Sequence, residues 1–153
     1  MTIYELLNEK SIKIELESTT KEAVIEELVD LLVDSGKVQD KYAVLDAIEE
    51  RERQLSTGLE NGIAVPHCKS AAVSKLTAGL GVRRNGIDFE SFDGKPAQIF
   101  FILVAEPNNP GPHVKALAKL ARLLKSPEMR DTILNSKSSA ECLALIKEKE
   151  LAD

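Results

Sequence analysis

The sequence contains no tryptophan, two tyrosines, four phenylalanines, two cysteines and two histidines. It has no basic excess: 20 Lys and Arg stand against 25 Asp and Glu, a formal net charge of −5. No Lys/Arg run is interleaved with aromatics, so a nucleic-acid partner is not expected. The longest apolar run, Ile99–Ala105, is far too short to span a bilayer. The first ten residues hold two acids and no apolar stretch, so no signal peptide and no direct membrane insertion are expected. Two cysteines, Cys68 and Cys142, are too few for a disulfide scaffold and fit a reducing compartment; the expected location is cytoplasmic. There is no C-x-x-C or H-x-x-x-H spacing, no G-x-S-x-G elbow and no G-x-x-x-x-G-K-[ST] loop, so no metal, no other cofactor and no nucleotide held by a P-loop are expected. Repeats, low-complexity tracts and Gly/Ser/Pro linkers are also missing, and residues 1–153 are expected to form a single domain.

What is present is an ordinary globular balance, 43% apolar and 29% charged. Ser11–Glu17 alternates apolar and polar residues and predicts a half-buried strand. Thr19 to Glu22 reads as a capping box, ahead of a helix whose stripe is Val24, Ile25, Leu28, Val29, Leu31 and Leu32 and which stops at Gly36. Asp40 caps a second helix, with Ala43, Val44, Ala47 and Ile48 facing inward and Arg51-Glu52 at its end. Leu76–Val82 alternates Leu76, Ala78, Leu80 and Val82 with Thr77, Gly79 and Gly81, a second strand. Ile99–Val104 is apolar throughout, a central strand buried on both faces. A further helix opens near His113, Ser126-Pro127 starts another, and Ser138 to Glu141 is a capping box for the last, in which Cys142 falls among the core positions. A sheet covered on both sides by helices gives the predicted fold: a three-layer α/β/α domain with a mixed central sheet.

The segment with most chemistry is Ser56-Thr57-Gly58, the turn dipeptide Asn61-Gly62, the short strand Ile63-Ala64-Val65, then Pro66-His67-Cys68. It presents a histidine just past a strand end, among small residues, as a nucleophilic imidazole requires. Taken alone, His67 reads as a surface histidine, Arg51 as a solvated helix-end residue paired with Glu49 or Glu52, and Thr57 as a turn residue.

Together these residues resemble the IIA components, mannitol/fructose type (type 2), of the bacterial phosphoenolpyruvate-dependent sugar phosphotransferase system. The family segment runs Arg-Glu at a helix end, then Ser-Thr-Gly, a turn, and Ile-Ala-Val/Ile-Pro-His. Here it is Arg51-Glu52, Ser56-Thr57-Gly58, Asn61-Gly62 and Ile63–His67, with Arg51 16 positions before His67. His113–Ala121 resembles the family's second-histidine helix. Two departures stand out: Glu60, where a small residue is usual, and Cys68, where glycine is common.

The resemblance implies a phosphoryl relay. The phosphocarrier HPr would donate to His67, on Nε2. A cysteine of a IIB domain would accept next, and the membrane IIC domain would deliver the sugar. A histidine near its ordinary pKa is largely neutral at cytoplasmic pH, which leaves one ring nitrogen nucleophilic. Arg51 offers a planar fork of donors to the phosphoryl oxygens. His113, at a helix start, would position the group as a neutral donor. The turn Phe92–Pro96 and the helix after His113 lean toward the fructose branch. The rival is a regulatory, nitrogen-type relative whose phosphorylation controls partner binding. Cys68 should be a bystander, because neighbouring side chains on extended chain point to opposite faces.

Overall fold

The apolar run forms β5 (Ala97–Ala105), in which every residue except Gln98 is buried. The computed structural model describes residues 1–152. On one side β5 pairs antiparallel with β4 (Thr77–Ile87), with a bulge between Val82 and Ile87. On the other it pairs in parallel with β2 (Ile63–Ala64) and β3 (His67–Lys69), in the registers Ile63↔Ile99 and His67↔Leu103. β1 (Ile12–Lys13) lies parallel to β4 at the far edge. The result is a mixed five-stranded sheet.

Period-two alternation divides β5 between two cores. Ile99, Phe101 and Leu103 pack with residues of α1 (Ile3–Leu6), α4 (Pro110–Lys125), α5 (Pro127–Leu134) and α6 (Ser139–Ala152). Phe100, Ile102 and Val104 pack with α2 (Lys21–Asp34) and α3 (Lys41–Gln54). Each such buried side chain contributes about 1.5–3 kcal/mol relative to exposure. The layering is the predicted α/β/α arrangement.

Most helix ends follow their sequence signals. Asp40, Ser126 and Ser138 accept from the backbone N–H of Ala43, Met129 and Glu141 at 3.1, 3.2 and 3.0 Å. α2 ends in a Schellman motif: Gly36, at φ +79°, donates to Val33 O, and Lys37 N donates to Leu32 O. Its start is one residue later than expected. Thr20, not Thr19, accepts from Ala23 N at 3.2 Å, so Glu22 falls one position short of closing a capping box.

The strands depart further. Ser11–Glu17 yields only the two residues of β1, because a 3₁₀ turn (Glu9–Ser11) precedes it and one bond, Leu16 N to Val82 O, continues it. β4 runs five residues beyond Val82. Its glycine side is no solvent face: a Cβ on Gly81 would lie 2.8 Å from both Leu16 Cδ1 and Leu28 Cδ2. Glycine there lets α2 pack directly on the sheet.

Candidate functional site

The chain between α3 and β3 is a hydrogen-bonded loop. Ser56 Oγ donates to Phe89 O at 2.8 Å and accepts from Gly58 N at 3.1 Å. Gly58 permits a close approach: a Cβ would stand 2.9 Å from Phe89 O and from Ser91 Cα. Asn61 and Gly62, at φ +62° and +76°, form the corner of a type I′ turn. Across it Leu59 N donates to Ile63 O at 2.8 Å and Val65 N to Thr57 O at 3.0 Å. Pro66 has no N–H and interrupts the edge of the sheet. His67 is therefore not stranded past a strand end; it opens β3, on the same edge of β5.

His67 is half-buried, on the α4 side of the sheet, and its Nδ1 lies 2.7 Å from Val65 O. A carbonyl can only accept, so Nδ1 carries the proton and the neutral ring keeps its lone pair on Nε2. Burial holds the imidazole below its ordinary pKa, and the Arg51 charge adds to this; the Val65 carbonyl and Glu52 oppose it. The next residue, Cys68, is turned to the other face, buried in the α2/α3 core with a thiol pushed up to about 12 by burial.

His113 meets His67 edge-on, with ring centroids 5.4 Å apart and planes at 83°. It is 6% exposed and its Nδ1 has no hydrogen-bond partner among the described residues. Burial lowers its pKa, and His67 and Lys69 add to the effect. The expected setting differs: α4 begins at Pro110, so His113 is the fourth helical residue, and Pro110 and Pro112 remove two donors from the first turn. Its lowered pKa comes chiefly from burial rather than from a ring of free N–H groups. Arg51 donates from Nη1 to Leu55 O at 2.8 Å, and among the described residues it makes no ion pair with a carboxylate. Arg51 and His67 line one cleft of about 860 Å³, with Leu55, Leu59, Phe92 and Leu117 on its walls. Glu60 and Lys125 line it as well. The arrangement offers a nitrogen with a free lone pair and a guanidinium on one open cleft, with a buried imidazole packed edge-on behind the first.

The profile of the family described as "Phosphoenolpyruvate-dependent sugar phosphotransferase system, EIIA 2" matches residues 5–149. The chain belongs to this family. Among curated proteins, this IIA chain is 39% identical over 150 residues to a fructose-specific EIIABC component of Bacillus subtilis, covering 98% of this chain and 24% of that protein. It is 40% identical over 127 residues to a fructose-specific EIIA component of Haloferax volcanii, covering 83% of this chain and 82% of the relative. The chain thus spans about a quarter of the Bacillus protein. Among solved structures it matches nitrogen regulatory protein IIA-Ntr of Neisseria meningitidis with a TM-score of 0.86 at 30% identity, covering 94% of this chain and 98% of that one.

The sequence reading of this IIA chain missed one feature. Glu52 is 8% exposed and accepts from Thr57 N at 2.9 Å, from the Thr57 hydroxyl and from Lys21 Nζ at 2.9 Å. Thr57 is therefore more than a turn residue, and Glu52 is Lys21's partner rather than Arg51's. A signal was available. Glu52 continues the buried spacing Val44, Ile48 on α3, and Lys21 lies four residues before Ile25 on the stripe of α2. Opposite charges at the ends of two apolar stripes mark a buried pair.

Proposed function

We propose that this chain is a phosphoryl carrier: His67 accepts a phosphoryl group from phospho-HPr and passes it to a IIB cysteine for sugar uptake of the fructose type. The observation that carries this reading is the Nδ1–H to Val65 carbonyl bond, which leaves Nε2 as the free nucleophile. In the forward step the N–P bond of the donor phosphohistidine breaks and a bond forms between phosphorus and His67 Nε2. The donor imidazole leaves, and Nδ1 of His67 keeps its proton. Little covalent help is needed; positioning and charge stabilisation dominate such transfers. Arg51 stabilises the phosphoryl oxygens with its fork of donors. His113 positions the group through its neutral ring, which stands edge-on to His67 at 5.4 Å between centroids.

The fructose assignment leans on the two relatives, both of which are fructose-specific components. The Bacillus name joins A, B and C in one component, which supports IIB as acceptor and a IIC transporter as the indirect partner. No helix among the described residues is long and apolar enough to cross a membrane, which suits a carrier working in the cytoplasm. A second reading, regulation by phosphorylation in the nitrogen-type manner, is favoured by the likeness to the Neisseria protein. Transfer from the phosphorylated chain to a fructose-type IIB separates the two.

The first test is mass spectrometry after incubation with phosphoenolpyruvate, the first enzyme of the system and HPr. The wild-type chain should gain one acid-labile phosphoryl group and His67→Ala none. A full gain in His67→Ala would overturn the assignment.

A further inference from the structure

The Lys21–Glu52 pair lines no part of the cleft, yet a continuous set of hydrogen bonds leads from it to the proposed phosphoacceptor. Lys21 Nζ pairs with Glu52, whose carboxylate takes both the N–H and the hydroxyl of Thr57. The Thr57 carbonyl accepts from Val65 N at 3.0 Å, and the Val65 carbonyl accepts from His67 Nδ1 at 2.7 Å. We infer that the buried Lys21–Glu52 pair is a positioning device, locking the Thr57–Val65 bridge so that His67 is held with Nδ1 protonated and Nε2 free. This rests on the phosphoryl-carrier reading for its consequence in rate, but not for its consequence in tautomer.

The burial of the pair argues for a geometric role. The side chains of Lys21 and Glu52 are 10% and 5% exposed. Taking two charges out of water is costly, and well-packed apolar residues often serve stability as well or better. What an apolar pair cannot do is receive two donors of one residue at once. Glu52 does this, and so fixes the direction of the Thr57 peptide and hence of its carbonyl. Lys21 in turn holds the carboxylate from α2, while its ammonium also reaches Glu90 Oε1 at 3.2 Å and lies 4.8 Å from the centre of the Phe89 ring. Three stretches of chain meet at this ammonium: the start of α2, the last turn of α3 and the 89–90 segment. The Gly58 approach then seats the loop against the continuation of that segment, through Phe92 N to Gly58 O at 3.0 Å.

The carbonyl of Val65 is the only link in this series that His67 touches, so an error anywhere upstream reaches the imidazole as a loss of orientation. A misplacement of about 1 Å, even from a remote substitution, can cost about 10²-fold in rate. Glu52→Gln leaves one acceptor oxygen for two Thr57 donors and an ammonium. Thr57→Val removes only the hydroxyl, and Thr57→Ser keeps both donors.

The test uses the full chain labelled with ¹⁵N. Imidazole spectra above pH 7.5 report the tautomer of His67, and rapid-mixing transfer from phospho-HPr reports the rate. Wild type should show Nδ1–H alone. Glu52→Gln and Thr57→Val should show mixed tautomers and accept phosphoryl between about tenfold and 10²-fold more slowly. Thr57→Ser should restore both readouts, and Lys21→Met with Glu52→Gln should be no slower than Glu52→Gln alone, because the two act as one unit. A wild-type ring protonated at Nε2 overturns the inference. So does a folded Glu52→Gln chain with wild-type tautomer and rate. If that variant does not fold, Thr57→Val with both readouts unchanged overturns it equally. A wild-type chain that holds Nδ1–H but never gains phosphoryl sinks the carrier reading and leaves the tautomer arm to decide this one.

Discussion

His67 and His113 face each other at 5.4 Å, but the segments that carry them are built differently. The 56–67 loop is bonded at nearly every step: Ser56 to Phe89, Thr57 to Glu52, Leu59 to Ile63, Val65 to Thr57 and His67 to Val65. The segment opening α4 is sparse by comparison. Among the described residues Asn109 makes no side-chain cap bond, two prolines occupy the first turn, and Nδ1 of His113 is buried without a partner. A buried polar atom left unpaired costs about 1–3 kcal/mol. The contrast teaches how the site divides its work. One side holds its imidazole in a fixed orientation; the other buries an imidazole nitrogen that has no partner among the described residues.

The contrast breaks most severely at Arg51, which closes the end of α3 through Leu55 O and faces the cleft. Arg51→Lys keeps the charge but not the planar fork, and should slow transfer in both directions by about 10²–10³-fold, the usual loss for one such donor. Stopped-flow transfer from phospho-HPr and on to IIB measures it.

Gly58→Ala attacks the bonded side. With a Cβ only 2.9 Å from Phe89 O, the backbone must shift, and urea denaturation should show a loss of about 1–3 kcal/mol. A neutral result would mean that the loop is looser than its hydrogen bonds indicate.

Much of this was legible in the sequence. The Ile99–Val104 run, the caps at Asp40, Ser126 and Ser138, and the Asn61-Gly62 turn are local signals, and local physics produced them. The strand ends were not legible, because β1 stops and β4 continues according to pairing with partners far along the chain. Leu16 reaches Val82 by a single bond, and Ile87 finds Ala97 only across a bulge. The cleft was half legible. Arg51 and His67 share a segment, but the meeting of His67 with His113 depends on α4 packing against β5, the strand that β3 pairs with. The structure starts α4 at Pro110, three residues before the His113 start that the sequence predicts. Glu52 reads from the sequence as a helix-end partner of Arg51, and its bonds to Lys21 and Thr57 arise only once α2 packs beside α3.

Two smaller measurements sharpen the comparison of the histidines. His113→Gln keeps an N–H and should be faster in transfer than His113→Ala by about 1 kcal/mol, the scale of one neutral hydrogen bond. Wild-type rates in His113→Ala would make His113 structural. Both rings are held below the ordinary histidine pKa chiefly by burial. Between the lowered folded values and the unfolded value near 6.5, the unfolded chain binds protons that the folded chain does not, so stability rises with pH in that window. It should be fully present above about pH 6.5 and be lost as the pH falls through the lowered values. His67→Gln and His113→Gln should each flatten that dependence in denaturation curves taken between about pH 5 and 7.

The smallest effect belongs to Cys68. Its thiol is buried on the far face of the sheet and pushed up to about 12. Cys68→Ser should keep transfer to IIB within a few-fold. A loss as deep as that of His67→Ala would show that the thiol takes part.

The central claim is that the bonded loop presents Nε2 of His67, and no other atom, to the phosphoryl donor. Coupled ³¹P–¹⁵N NMR of the phosphorylated, ¹⁵N-labelled chain tests it directly. The account predicts a single phosphoimidazole on His67, with phosphorus coupled to Nε2 and the Nδ1 proton retained in its bond to Val65. Phosphorus on Nδ1 of His67, or on His113, would contradict it.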